Sequence, residues 1–125
     1  LVIGRSPIVG SPIAHMIREK GGAVTIAHSQ VPEDTLKELV GEAEVIISCA
    51  GLPGLIKAEW IKGAEIINVG TTFKEELDSL VSDVDGDVAK HAARFSPVPG
   101  GIGPISAPVL FKNVAKAAWD QMNVK

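Results

Sequence analysis

The chain has 125 residues, 46% apolar and 22% charged, which fits one folded domain with a core and excludes a disordered segment. Its net charge of -3 offers no basic field to nucleic acid or to an anionic membrane surface. A single cysteine, Cys49, excludes an internal disulfide and a cysteine-based metal site, and the absence of tyrosine removes any phenolic acid or base.

Residues 1–3 are apolar and end at Gly4, which reads as a strand without a lead-in. The first residue is leucine, so the chain is expected to be a piece of a longer polypeptide, and a targeting segment could have gone with the rest. Ser11-Pro12 predicts a helix start, with serine as N-cap and proline at the first helical position. Ile13, Met16 and Ile17 give that helix an apolar face, and Gly21-Gly22 stops it. Residues 23–27 form a short strand ending at His28-Ser29. Pro32 opens a second helix with Glu33 and Asp34 in its first turn, Leu36, Leu39 and Val40 as its buried stripe, and Gly41 as its end.

Val45-Ile46-Ile47 has the continuous apolar character of a central parallel strand. The apolar stretch 45–56 is broken by Gly51, Pro53 and Gly54 and is too short to span a bilayer. A helical turn at 58–61 leads to a strand at 65–69. After Gly70 two readings stand. Thr72 and Glu75 have capping-box spacing, with Leu77, Leu80 and Val81 at helical intervals; alternatively 80–84 is a strand. Asp85 is expected to cap a helix reaching Ala93, and 94–96 an edge strand. Ser106 is expected to cap a last helix with Leu110, Val114, Ala117 and Ala118 on one face. The alternation implies right-handed crossovers, hence an α/β, Rossmann-like, mainly parallel sheet flanked by helices in one domain spanning residues 1–125.

The turn Gly4-Arg5-Ser6-Pro7-Ile8-Val9-Gly10 joins the first strand to a helix N-terminus, where a phosphate finds N–H donors and a glycine leaves room for a ligand. Its spacing is not Gly-x-Gly-x-x-Gly, and a purely structural turn is the alternative. The second strand tip carries no acid to hold a ribose. Arg5 and Ser29 stand there instead, a pair suited to a 2′-phosphate, unless they are a solvated arginine and a turn serine. Cys49 has no adjacent base and reads as a structural cysteine at the end of the third strand. His15, His28 and His91 lack metal-pair spacing, so no metal site is expected. Asp83, Asp85 and Asp87 lack the calcium-loop pattern and read as a strand end and a helix cap. Trp60 and Trp119 read as core anchors. The densest punctuation lies at 97–104, where three prolines and three glycines fall within Pro97-Val98-Pro99-Gly100-Gly101-Ile102-Gly103-Pro104 before a helix. A plain connector needs far fewer fixed turns, which favours a functional loop.

These segments resemble the bifunctional methylenetetrahydrofolate dehydrogenase/methenyltetrahydrofolate cyclohydrolase family. Gly4 through Pro12 is similar to its Gly-Arg-Ser-x-x-Val-Gly-x-Pro stretch, residues 24–29 to its second strand, residues 60–64 to the lead into its fourth, and 97–104 to its signature loop. The resemblance covers the C-terminal NAD(P)-binding domain alone. It implies that Gly4, Arg5, Ser6, Ser29 and Thr71 bind NADP and that Pro99, Gly100, Gly101, Ile102 and Gly103 line the folate side. It implies no catalytic residue in this chain, because the family's catalytic lysine and neighbouring tyrosine lie in an N-terminal domain absent here. The implied whole enzyme, a homodimer, oxidises 5,10-methylenetetrahydrofolate with NADP and hydrolyses the product. Its expected place is the cytoplasm, with a mitochondrial form compatible, and neither nucleic acid nor membrane is an expected partner.

Two departures stand out. Val69-Gly70-Thr71-Thr72 replaces Val-Gly-Ile-Asn, and Ser82-Asp83-Val84 replaces Gly-Asp-Val. Two rival readings accompany this one. One is a non-catalytic nucleotide-binding module. The other is a shikimate-dehydrogenase-like NADP domain, which does not predict the 97–104 loop.

Overall fold

In chain order, the computed structural model describes residues 1–123 as β1 (Val2–Ile3), α1 (Gly10–Glu19), β2 (Ile26–Ala27), α2 (Glu33–Glu42), β3 (Val45–Ser48), β4 (Ile56–Lys57), β5 (Glu65–Asn68), β6 (Thr71–Lys74), β7 (Ser79–Ser82), β8 (Val84–Asp85), β9 (Arg94–Phe95) and α3 (Gly103–Met122). Single 3₁₀ turns lie at Ala58–Trp60, Glu75–Leu77 and Val88–Lys90. Five strands form one parallel sheet in the order β2-β1-β3-β5-β9, so the expected Rossmann-like architecture is the observed one.

Strand alternation splits the core between two faces. Ile3, Ile46 and Ile66 point to the α2 side, where Leu36 and Val40 meet them together with Ile56 and Trp60. Val2 and Ile47 point to the other side, against Ala14 of α1 with Ile13 and Ile17 partly buried beside it. The buried stripe of α1 is therefore Ile13, Ala14 and Ile17, and Met16 is 60% exposed, contrary to the apolar face expected from spacing. The stop of α1 follows the sequence. Gly21 donates to the Arg18 carbonyl and Gly22 to that of Ile17, a Schellman closure that uses the positive φ of Gly21.

The ends of the other helices differ from expectation. Ser11 does not cap α1; the cap position is Val9, and the Ser11 hydroxyl donates to the Arg5 carbonyl at 3.1 Å. Gly41 lies inside α2 rather than after it, close against Trp60 and Lys62. Ser106 sits in the first turn of α3, its hydroxyl donating to the Gly103 carbonyl, while Ile102 takes the cap position. Every residue of α3 is exposed, including Trp119, which is therefore no core anchor; Trp60 is one, at 7% exposure.

The segment after Gly70 is a hairpin, β6 against β7 in antiparallel register from Thr71↔Ser82 to Lys74↔Ser79, and not a helix. Of the two readings the strand one is the nearer, but residues 80–84 are divided between β7, which ends at Ser82, and β8, which begins at Val84. Asp85 does not cap a helix. It lies in β8, which pairs in parallel with β4, and its carboxylate meets Lys57 Nζ at 3.2 Å. Only one 3₁₀ turn stands where a helix to Ala93 was expected. Among the described residues no helix is long and apolar enough to cross a membrane.

Candidate functional site

Chain direction reverses at β1: the first crossover leads to β2 on one side and the next returns past β1 to β3. Loops leaving neighbouring strands there diverge and open a crevice at their carboxyl ends. A cleft of about 340 Å³ lies at that point. Its polar wall holds Gly4, Arg5, Ser6, His28 and Ser29, and its apolar wall includes Ile3, Cys49, Ala50 and Leu52. Among the described residues no carboxylate lines it.

The first wall is shaped by a turn folded on itself. A β-carbon on Gly10 would stand 2.1 Å from the Gly4 carbonyl oxygen, and one on Gly4 would stand 2.7 Å from that of Cys49. These glycines make room for the protein's own backbone, and Gly4 lines the cleft as well. Ser6 fastens the turn: its Oγ accepts from the Val9 N–H at 3.1 Å and its carbonyl from the Ser11 N–H at 3.0 Å. Arg5 and Ser29 are exposed at the rim, and among the described residues no salt bridge engages Arg5. His28 Nδ1 accepts from the Gln30 N–H, fixing the turn that presents Ser29.

Cys49 is half-buried, and its Sγ donates to the Ile3 carbonyl at 3.2 Å. Burial pushes its thiol pKa up, and the nearby Asp83 carboxylate adds to the rise. A protonated thiol bonded to backbone is a structural group rather than a nucleophile, in keeping with the sequence reading.

A second cleft, of about 430 Å³, opens beyond β5 and β9. It brings Thr71 together with Pro99, Gly100, Gly101, Ile102 and Gly103, all six singled out from sequence. The other four, Gly4, Arg5, Ser6 and Ser29, share the first cleft. Within the loop the glycines differ in role. A β-carbon on Gly101 would meet the Pro97 carbonyl oxygen at 2.4 Å, so a side chain there breaks the loop. Gly100 and Gly103 have nothing within 4 Å of that position.

Between the clefts lies a residue that the sequence reading took for a simple strand end. Asp83 is fully buried, and its carboxylate accepts from the Ser48 hydroxyl at 2.7 Å and from the N–H groups of Ala50, Gly51 and Leu52 at 3.0, 3.2 and 2.9 Å. Asn68 was missed too. It is 3% exposed, donates from Nδ2 to the Gly70 carbonyl, and leaves Oδ1 without a partner. The Ser82 that departs from the family pattern has a local role: its Oγ accepts from the Val84 N–H at 2.9 Å. The departure at Thr72 adds a link as well, its hydroxyl donating to the Gly51 carbonyl at 3.0 Å. An acid in an apolar neighbourhood was the available signal for Asp83, but its partners lie over 30 positions away.

Comparison with known proteins agrees with the fold. Residues 1–122 match the family described as "Tetrahydrofolate dehydrogenase/cyclohydrolase, NAD(P)-binding domain". The mitochondrial C-1-tetrahydrofolate synthase of Saccharomyces cerevisiae is 39% identical over 97% of this chain and 13% of its own length. Bifunctional protein FolD 2 of Rhizorhabdus wittichii is 42% identical over 94% of this chain and 40% of its own. Among solved structures, the Trypanosoma brucei methylenetetrahydrofolate dehydrogenase-cyclohydrolase complexed with NADP cofactor and inhibitor superposes with a TM-score of 0.88 at 38% identity, over 98% of this chain and 44% of that one. The methylenetetrahydrofolate dehydrogenase of Bombyx mori gives 0.86 at 42%, over 98% and 45%. The chain thus spans well under half the length of the proteins it matches.

Proposed function

Since the chain belongs to the tetrahydrofolate dehydrogenase/cyclohydrolase family, as its NAD(P)-binding domain, we propose that it holds NADP in preference to NAD and orients it against a folate. The observation that carries this reading is the acid-free first cleft, with an exposed guanidinium and hydroxyl at its rim. A carboxylate at a strand tip would accept from a ribose and repel a 2′-phosphate. Arg5 attracts that phosphate and Ser29 donates to it. The donor set of the cleft therefore fits the phosphorylated cofactor, the one named with the Trypanosoma brucei neighbour.

In this reading Gly4 and Ser6 shape the turn beneath the adenosine end, and Thr71 lies near the nicotinamide end. Pro99, Gly100, Gly101, Ile102 and Gly103 form the folate-facing wall. Bound NADP supplies the hydride acceptor. The chain's own residues bind, orient and exclude water on one side of the reacting pair. The whole reaction is oxidation of 5,10-methylenetetrahydrofolate followed by hydrolysis of the methenyl product to 10-formyltetrahydrofolate. Its lysine and tyrosine come from an N-terminal catalytic domain, and the working enzyme is a cytoplasmic or mitochondrial homodimer. The family match over residues 1–122 favours this over a shikimate-dehydrogenase-like domain.

Calorimetric titration tests the cofactor assignment. Arg5→Ala should weaken NADP by about 10- to 100-fold, the worth of a lost charge-assisted contact, and leave NAD nearly unchanged. Equal losses for both cofactors would remove the 2′-phosphate role. A native chain that binds neither would remove the cofactor assignment and with it the nucleotide-binding alternative.

A further inference from the structure

We propose that Asp83 is a positioning residue for the cofactor cleft: by gathering the N–H groups of the loop after β3 it holds one cleft wall in place and thereby sets cofactor affinity. The inference rests on the cofactor reading above and goes beyond it, because Asp83 itself lines neither cleft.

Three successive N–H groups, from Ala50, Gly51 and Leu52, turn inward to one carboxylate, and the Ser48 hydroxyl at the end of β3 joins them. Successive amides that converge in this way form an anion-binding nest. Here the anion is the chain's own, so those amides are not free to bind a cofactor phosphate. The side chains of Ala50 and Leu52 are fixed as cleft wall instead. The nest is fastened again from outside, where Thr72 donates to the Gly51 carbonyl.

The same carboxylate presses on the other cleft. A β-carbon on Gly70 would stand 2.0 Å from Asp83 Oδ2, so the residue before Thr71 packs directly against the nest. Backbone bonds lock the segment in register: Gly54 donates to the Ser82 carbonyl and Ile56 to that of Asp83. Asp83 therefore ties the β3 loop, the hairpin and β4 together at the point between the two clefts.

Asp83→Asn keeps the volume but exchanges one oxygen for a donor. The amide oxygen can face Ser48, Ala50 and Gly51, and its NH₂ then opposes the Leu52 N–H. In the full-length chain we expect the NADP Kd to rise about 10- to 30-fold. Hydrogen exchange at Ala50, Gly51 and Leu52 should accelerate while β1 and β3 amides stay protected. Mere destabilisation would lower the denaturation midpoint and, with binding measured well below that midpoint where the chain stays folded, leave Kd unchanged, so the two roles separate. Ser82→Gly, which spares the nest, should leave Kd within about twofold. Should Asp83→Asn fail to fold, Ser48→Ala removes one donor and should raise Kd by a few-fold with faster loop exchange. Loop amides that accelerate without any change in Kd, or no change in either, would overturn the positioning role. Absence of NADP binding by the native chain would overturn the cofactor reading itself.

Discussion

Cys49 shows how one buried contact sets a reactivity. Its thiol donates to the Ile3 carbonyl and faces Asp83, so burial first and the carboxylate second raise its pKa above the ordinary 9.0. A thiolate fraction below that of a free thiol should make alkylation by iodoacetamide at pH 8 markedly slower than for a solvent-exposed cysteine. The same shift bears on stability. The folded state binds this proton more tightly than the unfolded chain, so the contribution is fully present below pH 9.0. It is lost as pH rises from there through the folded value. With no tyrosine in the chain to titrate in this range, Cys49→Ser should flatten the decline in denaturation midpoint above pH 9. Equal slopes for both proteins would show that the thiol is not the source.

Elements were legible from sequence where neighbours along the chain decide them. The α1 stop at Gly21-Gly22, the stripe of α2 and the central place of β3 all follow from local period and punctuation. The face of α1 was read with Met16 in place of Ala14, because Met16 is apolar at helical spacing yet points to solvent, while small Ala14 packs against Val2 and Ile47. Substitution separates the two cases. Leu36→Ala removes a side chain only 6% exposed and should cost about 2–4 kcal/mol of unfolding free energy in urea, whereas Met16→Ala should stay within about 0.5 kcal/mol. A large loss at Met16 would mean that α1 is rotated from its described orientation. The hairpin β6–β7 and the parallel pair β4–β8 were hidden for a different reason. Thr72, Glu75, Leu77 and Leu80 satisfy helical spacing, and pairing across the turn overrides it. The site divides in the same way. Arg5, Ser29 and the 97–104 loop were visible as local motifs, whereas Asp83 is defined by donors in a distant loop.

At the scale of the whole molecule both clefts open at one edge of the sheet. The first carries the 2′-phosphate partners proposed for NADP and the second the loop proposed to face a folate, both at the carboxyl ends of the same parallel sheet. Hydride transfer needs the folate carbon held at contact distance from the nicotinamide, and such orientation is worth about 7–11 kcal/mol of barrier at best. On the proposed reading, one wall alone would leave the folate free to tumble. Lys57 is paired with Asp85, and Lys62 and Lys74 are exposed. The α3 helix extends from the second cleft with Leu110, Phe111 and Trp119 all more than half exposed. The 125 residues assayed alone should therefore fold, bind NADP and show no methylenetetrahydrofolate oxidation. Absorbance of NADPH should stay flat with this chain and rise when an intact two-domain relative replaces it. Saturable, folate-dependent NADPH formation by the purified chain would show that the catalytic groups lie within these residues after all.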